Sequence, residues 1–181
     1  MAENLGAIGA VIAHEMTHGF DDKGRLYDHT GAMGNWWTDE DISNFEKRTK
    51  VIIEQFDSFK VHNKSVNGAL TLGENIADIG GVKLAVSALI RYFNEQDKDP
   101  FTKLDNEPYN PMQLFFMSWA RVWCAHITEE DALKRLVTDV HSPGSFRVNG
   151  VLGNVNEFFR AYNLTKIENV PMRPNKIAEI W

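Results

Sequence analysis

Helical spacing of apolar residues recurs along most of this chain, and its first stretch is apolar on nearly every side. From Glu3 to His18, small and aliphatic residues (Leu5, Gly6, Ala7, Ile8, Gly9, Ala10, Val11, Ile12, Ala13) leave little polar surface on a helical projection. That pattern predicts a buried helix, whose glycines admit close neighbours at some cost in helix propensity. Gly19 stands where such a helix can end by taking the left-handed conformation. A loop dense in Gly and Asp follows over 19–37, closed by Trp36 and Trp37 as packing anchors.

Amphipathic patterns then take over. Thr38-Asp39-Glu40-Asp41 reads as a capping box, and Ile42, Phe45, Val51, Ile52, Phe56 and Phe59 carry a helix to about residue 59. A loop with a possible strand spans 60–72, and a long helix runs from Glu74 to about Asn94. Residues 95–110 form a charged surface connection. Asn110-Pro111 is a cap with a first-turn proline, opening a helix to about Ala125. Thr128-Glu129-Glu130-Asp131 opens another, to about Val140. Ser142-Pro143-Gly144 is a turn, Asn154 to Tyr162 a short helix, and the chain from Thr165 to Trp181 an extended tail. Trp36, Trp37, Phe115, Phe116 and Trp119 are assigned to the core, and Cys124 to a buried site on an apolar helix. His29, His62 and His126 have no motif around them. With no repeat or internal boundary, residues 1–181 are expected to form one mainly α unit.

Composition narrows the function classes. A formal charge of −6 gives no reason to expect nucleic acid, and no apolar run approaches the ~20 residues of a membrane span. The single cysteine excludes an internal disulfide and favours a reducing, cytoplasmic compartment. A periplasmic or extracellular location stays open, because Met1-Ala2-Glu3-Asn4 enters a helix at once, as if cut from within a longer protein. Oligomeric state is not legible.

The chemistry lies in three stretches. His14-Glu15-Met16-Thr17-His18 puts two histidines one turn apart on the same helix face, able to reach one metal ion. Glu15 is rotated about 100° away, where it can serve as a base toward water. A catalytic zinc needs a third protein ligand. The best candidate is Glu74 in Gly73-Glu74-Asn75-Ile76-Ala77-Asp78-Ile79-Gly80-Gly81, with Asp78 one turn on to accept the other N–H of a ligand histidine. Asp21, three residues after His18, can do the same for the second histidine. Ala77, Gly80 and Gly81 allow the two helices close approach. Val140-His141-Ser142-Pro143-Gly144-Ser145-Phe146-Arg147 offers two cations on a constrained turn. His141 suits an oxyanion and Arg147 a substrate carbonyl.

Together, His-Glu-Met-Thr-His-Gly-Phe-Asp-Asp, Gly-Glu-Asn-Ile-Ala-Asp and Val-His-Ser-Pro-Gly-Ser-Phe-Arg resemble the neprilysin family of zinc endopeptidases. That family includes neprilysin, endothelin-converting enzymes and bacterial oligoendopeptidases O, and the likeness runs over essentially the whole chain. The resemblance implies a zincin-like (thermolysin-like) helical catalytic domain with one zinc ion held by His14, His18 and Glu74. By the same resemblance, Glu15 is the catalytic base, Asp78 and Asp21 support the histidines, and Asp78 matches a residue sometimes described as a proton donor. His141 stabilises the transition state, and Arg147 grips the substrate backbone. Val11 and Trp123 fall at positions similar to those lining an apolar substrate pocket. Peptide substrates, cut on the amino side of hydrophobic residues, follow as the expected activity. Two features of the family are missing from the chain: a large helical lobe over the active site, and the Asn-Ala-aromatic segment whose edge strand pairs with substrate. The chain is therefore expected to be the C-terminal zinc-binding part of a longer peptidase; the alternative is an isolated zinc-binding piece without activity.

Overall fold

A computed structural model describes residues 1–164, 174 and 176–180. Its first helical run is continuous but changes gait: α1 (Ala2–Asn4) passes through a π-helical stretch (Leu5–Gly9) into α2 (Ala10–Thr17), which tightens to a 3-10 turn at His18–Phe20. Gly19 sits inside that last turn and has no positive φ, so the predicted left-handed stop is replaced by a tightening of the helix. The run is also not buried on all sides. Ala10, Ala13, His14 and Thr17 face inward, while Ile8, Ile12 and Met16 are exposed along the opposite face. The pattern could not separate these faces because both are apolar.

The remaining helices are α3 (Asp39–Asp57), α4 (Leu72–Asn94), α5 (Pro111–Val122), α6 (Glu129–Thr138), α7 (Gly144–Leu152) and α8 (Asn156–Ala161). Their starts follow the sequence signals. The Thr38 hydroxyl accepts from Asp41 N–H at 3.1 Å while Asp41 accepts from Thr38 N–H at 3.3 Å. Asn110 and Gln113 make the same reciprocal pair at 2.8 and 3.0 Å, with Pro111 in the first turn, where its missing N–H is not needed. Between α3 and α4, β1 (Lys60–Val61) and β2 (Lys64–Ser65) form a small antiparallel hairpin. His62 and Asn63 connect them with φ of 46° and 64°, as a two-residue turn that matches strand twist requires.

Two helices stop short of expectation. α5 ends at Val122 rather than Ala125, because Trp123 leaves helical geometry and lays its ring under the Arg147 guanidinium, 3.6 Å away. Cys124 consequently lies beyond the helix and is exposed, not a buried thiol. α6 ends at Thr138 because Asp139 turns to an extended conformation. Unpredicted altogether is α7: Ser142-Pro143-Gly144 reads as a breaker but stands at the start of a helix. Arg147 is therefore on a helix, not on the turn with His141.

The core gathers around α4, whose Ile76, Ile79, Val82, Val86 and Leu89 are buried against α2, α3 and α7. Phe115, Phe116 and Trp119 are fully buried as expected, and Phe59 stacks on Phe146 at 4.7 Å. Trp36 is a correction: half of it is exposed, and it packs edge-on against the half-buried Trp37, which in turn meets Phe45. His29, His62 and His126 are exposed. Of the expected tail, Thr165–Arg173, Asn175 and Trp181 lie outside the described residues. Residues 176–180 are non-helical, and Ala178 is tied down by hydrogen bonds from Lys83 Nζ to its carbonyl and from its own N–H to Asn154. Among the described residues no helix is long and apolar enough to cross a membrane.

The crossing of α2 over α4 sets the site. A Cβ on Gly81 would stand 2.6 Å from the His14 backbone nitrogen, and one on Gly80 2.7 Å from Thr17 Cγ2. Only glycine lets the helices come this close, and that closeness brings Glu74 and Asp78 of α4 within reach of the α2 histidines.

Candidate metal centre

His14 and His18 project from one face of α2, their rings meeting edge to face with centroids 4.6 Å apart. Each ring is held from behind. His14 Nδ1 lies 2.8 Å from Asp78 Oδ1, and His18 Nδ1 lies 2.7 Å from Asp21 Oδ2. Asp21 is itself fixed, its Oδ1 accepting from the backbone N–H groups of Lys23 (2.8 Å) and Gly24 (2.6 Å). An ionised carboxylate can only accept, so each Nδ1 carries the proton and each Nε2 presents a lone pair. Those two Nε2 atoms face each other at 3.0 Å.

Glu74 completes the cluster from the first turn of α4. Its Oε2 is 3.3 Å from His14 Nε2 and 3.6 Å from His18 Nε2. The same oxygen is buried and accepts no hydrogen bond. Three acceptor atoms thus point at one spot, an arrangement suited to a cation. A tetrahedral zinc with bonds of roughly 2.0–2.1 Å spans edges of about 3.3–3.4 Å, close to the separations observed. His14, His18 and Glu74 are the group among the described residues able to hold a metal ion. Two nitrogens and one carboxylate oxygen suit zinc, and the three protein atoms leave a fourth position open.

The electrostatics agree with a site made for positive charge. Burial alone would lower the His14 pKa, but the carboxylates of Asp78 and Glu74 outweigh it and raise the value to about 9. Burial pushes Glu74 upward, yet the His14 ring, with His141 and His18 behind it, holds its carboxyl below the ordinary range. Asp78 is fully buried and shared: Arg147 donates from Nε to Oδ2 and from Nη2 to Oδ1, both at 2.7 Å. The guanidinium in turn covers the Trp123 ring, and Trp119 Nε1 donates to the Arg147 carbonyl at 3.2 Å.

His141 approaches from the turn between α6 and α7. Its Nε2 is 3.2 Å from Glu74 Oε2, and its Nδ1 is 2.8 Å from Asp139 Oδ1. Asp139 also accepts the His141 backbone N–H at 2.9 Å. Although burial acts the other way, these contacts hold its carboxyl below the usual range. Asp139 belongs to none of the three sequence motifs; an aspartate two residues before a histidine, closing on its own chain, is the signal that points to it.

Beside His141 opens a cleft of about 510 Å³. Trp123, Arg147, Val66 and Leu136 are among its walls. Val11 is not among its lining residues: it is half-buried, one turn before His14 on α2. Glu15 is exposed, one position on from His14. The structure therefore brings His14, His18, Glu74, Asp21, Asp78, His141 and Arg147 into one connected cluster, with Trp123 at its edge.

Comparison with known proteins gives this cluster a family. The model of peptidase family M13 matches residues 1–179. Neprilysin-11 of Caenorhabditis elegans is 44% identical over 183 residues, an alignment covering 99% of this chain and 21% of that protein. Endothelin-converting enzyme 1 of Bos taurus is 40% identical over 183 residues, covering 99% and 23%. The crystal structure of the Mycobacterium tuberculosis zinc metalloprotease ZMP1 in complex with inhibitor superposes with a TM-score of 0.84 at 39% identity, over 98% of this chain and 28% of that one. The fold is thus mainly α and zincin-like, as expected. The chain spans between a fifth and a quarter of the length of these curated relatives. With helices, carboxylates and histidines arranged as described and the match running from end to end, the chain belongs to peptidase family M13, the family of the neprilysins and endothelin-converting enzymes.

Proposed function

We propose that this chain is the zinc-binding part of a metalloendopeptidase that hydrolyses oligopeptides on the amino side of hydrophobic residues. One observation carries the reading: His14 Nε2, His18 Nε2 and Glu74 Oε2 converge at 3.0–3.6 Å while an aspartate holds the far nitrogen of each ring. His14, His18 and Glu74 would hold one zinc ion. When bound, zinc supplies a Lewis acid that lowers the pKa of water toward ~7 and polarises a peptide carbonyl.

The chain's own residues do the remainder. Glu15, beside His14 and open to solvent, takes the proton of the attacking water and returns it to the leaving amine. Asp78 and Asp21 keep both rings in the tautomer that offers Nε2 as a ligand. His141 keeps its Nδ1 on Asp139 and turns its Nε2 into the site, where an N–H on that nitrogen would meet the oxyanion that develops on the substrate carbonyl. Arg147 spends two N–H groups on Asp78 and has others left for a substrate carbonyl at the cleft wall. Trp123 and its apolar neighbours suit a hydrophobic side chain. Val11 lies outside that cleft.

The test is turnover of a quenched oligopeptide before and after Glu15→Gln. Turnover should disappear with zinc still bound at one ion per chain; retained turnover would refute Glu15 as the base. A second reading, a zinc-binding piece without activity of its own, is favoured by the chain's short span relative to its relatives. Zinc bound without any turnover would support it.

A further inference from the structure

α7 and the turn before it are fastened to α4 at two buried points. One is the Asp78–Arg147 pair already described. The other is a polar relay with no counterpart in the chemistry so far. Ser142 donates from Oγ to Asn75 Oδ1 at 2.7 Å, and Asn75 donates from Nδ2 to Thr71 Oγ1 at 2.9 Å. Thr71 donates from its hydroxyl to the Asn67 carbonyl at 3.1 Å. Asn75 is fully buried, and Ser142 and Thr71 are each 3% exposed. Every hydrogen in this relay has one direction. The Thr71 hydroxyl proton is committed to Asn67, so its oxygen must accept, and only an amide at position 75 can donate to it while accepting from Ser142. An aspartate there would set two acceptors against each other and bury a second charge next to Glu74.

The relay joins the immediate neighbours of two site residues. Asn75 follows Glu74, and Ser142 follows His141. Between them His141 Nε2 and Glu74 Oε2 stand 3.2 Å apart. Asp139 fixes how the His141 ring is turned, but it lies on the same side of the contact as His141, being in the turn itself. Among the described residues, Ser142 is the one in that turn that hydrogen-bonds to α4, beside the His141–Glu74 contact itself. We infer that Asn75 and Ser142 are positioning residues: their buried hydrogen bond sets the distance of His141 from the Glu74 carboxylate. The inference rests on the proposed oxyanion role of His141 for its kinetic consequence, but not for its geometric one.

Ser142→Ala removes one hydroxyl and is the mildest cut in the relay. In metal-free protein, its imidazole proton resonances for His141 should shift and broaden while those of His14 and His18 stay in place. In zinc-loaded protein, kcat on a quenched peptide should fall on the order of tenfold with KM little changed, as expected when a transition-state contact is misplaced. Zinc stoichiometry should stay at one. The decisive arm is the His141→Ala background, where Ser142→Ala should have no further effect on kcat. Thr71→Val, isosteric and one link further back, should reproduce the same signature more weakly and serves if Ser142→Ala does not fold. Unmoved His141 resonances, or the same fold-loss of kcat with and without His141, would overturn the inference. If the wild-type protein cleaves no peptide at all, the proposed activity fails while the resonance arm still decides the positioning.

Discussion

The Nε2 atoms of His14 and His18 face each other at 3.0 Å, and each ring turns its other nitrogen onto an aspartate. Two lone pairs at that separation repel unless a cation lies between them. In the absence of metal a proton must serve, and this has consequences for stability and pH.

His14 in the metal-free fold has its pKa raised from 6.5 to about 9. A raised value means that the folded state holds the proton more tightly than the unfolded chain. The resulting stabilisation is fully present below pH 6.5 and is lost as pH rises through about 9. Metal-free protein should therefore lose stability across that window in urea titrations. Zinc binding should release a proton over the same range, so apparent zinc affinity should rise with pH and level off above about 9. Calorimetry in buffers of different ionisation enthalpy reads the released proton directly; no release at pH 7.5 would contradict the assignment.

Asp78 carries two cationic partners in a fully buried position. Removing it leaves Arg147 uncompensated and His14 unsupported. Asp78→Ala should cost about 3–5 kcal/mol in urea unfolding, the range for breaking one side of a buried pair. Arg147→Ala should cost less, because Asp78 keeps His14 as a partner. Equal costs would show that the two contacts to Asp78 do not share it as described.

Gly81→Ala tests the helix crossing. Its Cβ would stand 2.6 Å from the His14 nitrogen, a backbone atom that cannot swing aside. The helices must separate, at a cost of about 1–3 kcal/mol, and the histidines move away from Glu74. Zinc affinity should fall with stability. A variant with wild-type zinc affinity would mean that the crossing does not set the site.

How much of this was readable in the chain follows from range. His14 and His18, or Glu74 and Asp78, are one turn apart, and a rigid helix makes their common face a local matter. Capping at Thr38 and Asn110 was equally local. What failed was decided by partners elsewhere. The exposed face of Ile8, Ile12 and Met16 is as apolar as the buried one, so only the packing of α4 distinguishes them. Pro143 and Gly144 look like breakers, yet proline is well tolerated at a helix start, and α7 begins there. With α7 unread, Arg147 seemed a turn residue and its bond to Asp78 was invisible. Asp139 escaped notice because its role depends on the chain folding back on His141.

Zinc coordination tests the central claim most directly. X-ray absorption on the zinc-loaded protein should give two imidazole nitrogens and one carboxylate oxygen from the protein, and Glu74→Ala should empty the site by atomic absorption. Zinc retained at full stoichiometry in Glu74→Ala, or a sulfur neighbour implicating Cys124, would contradict it.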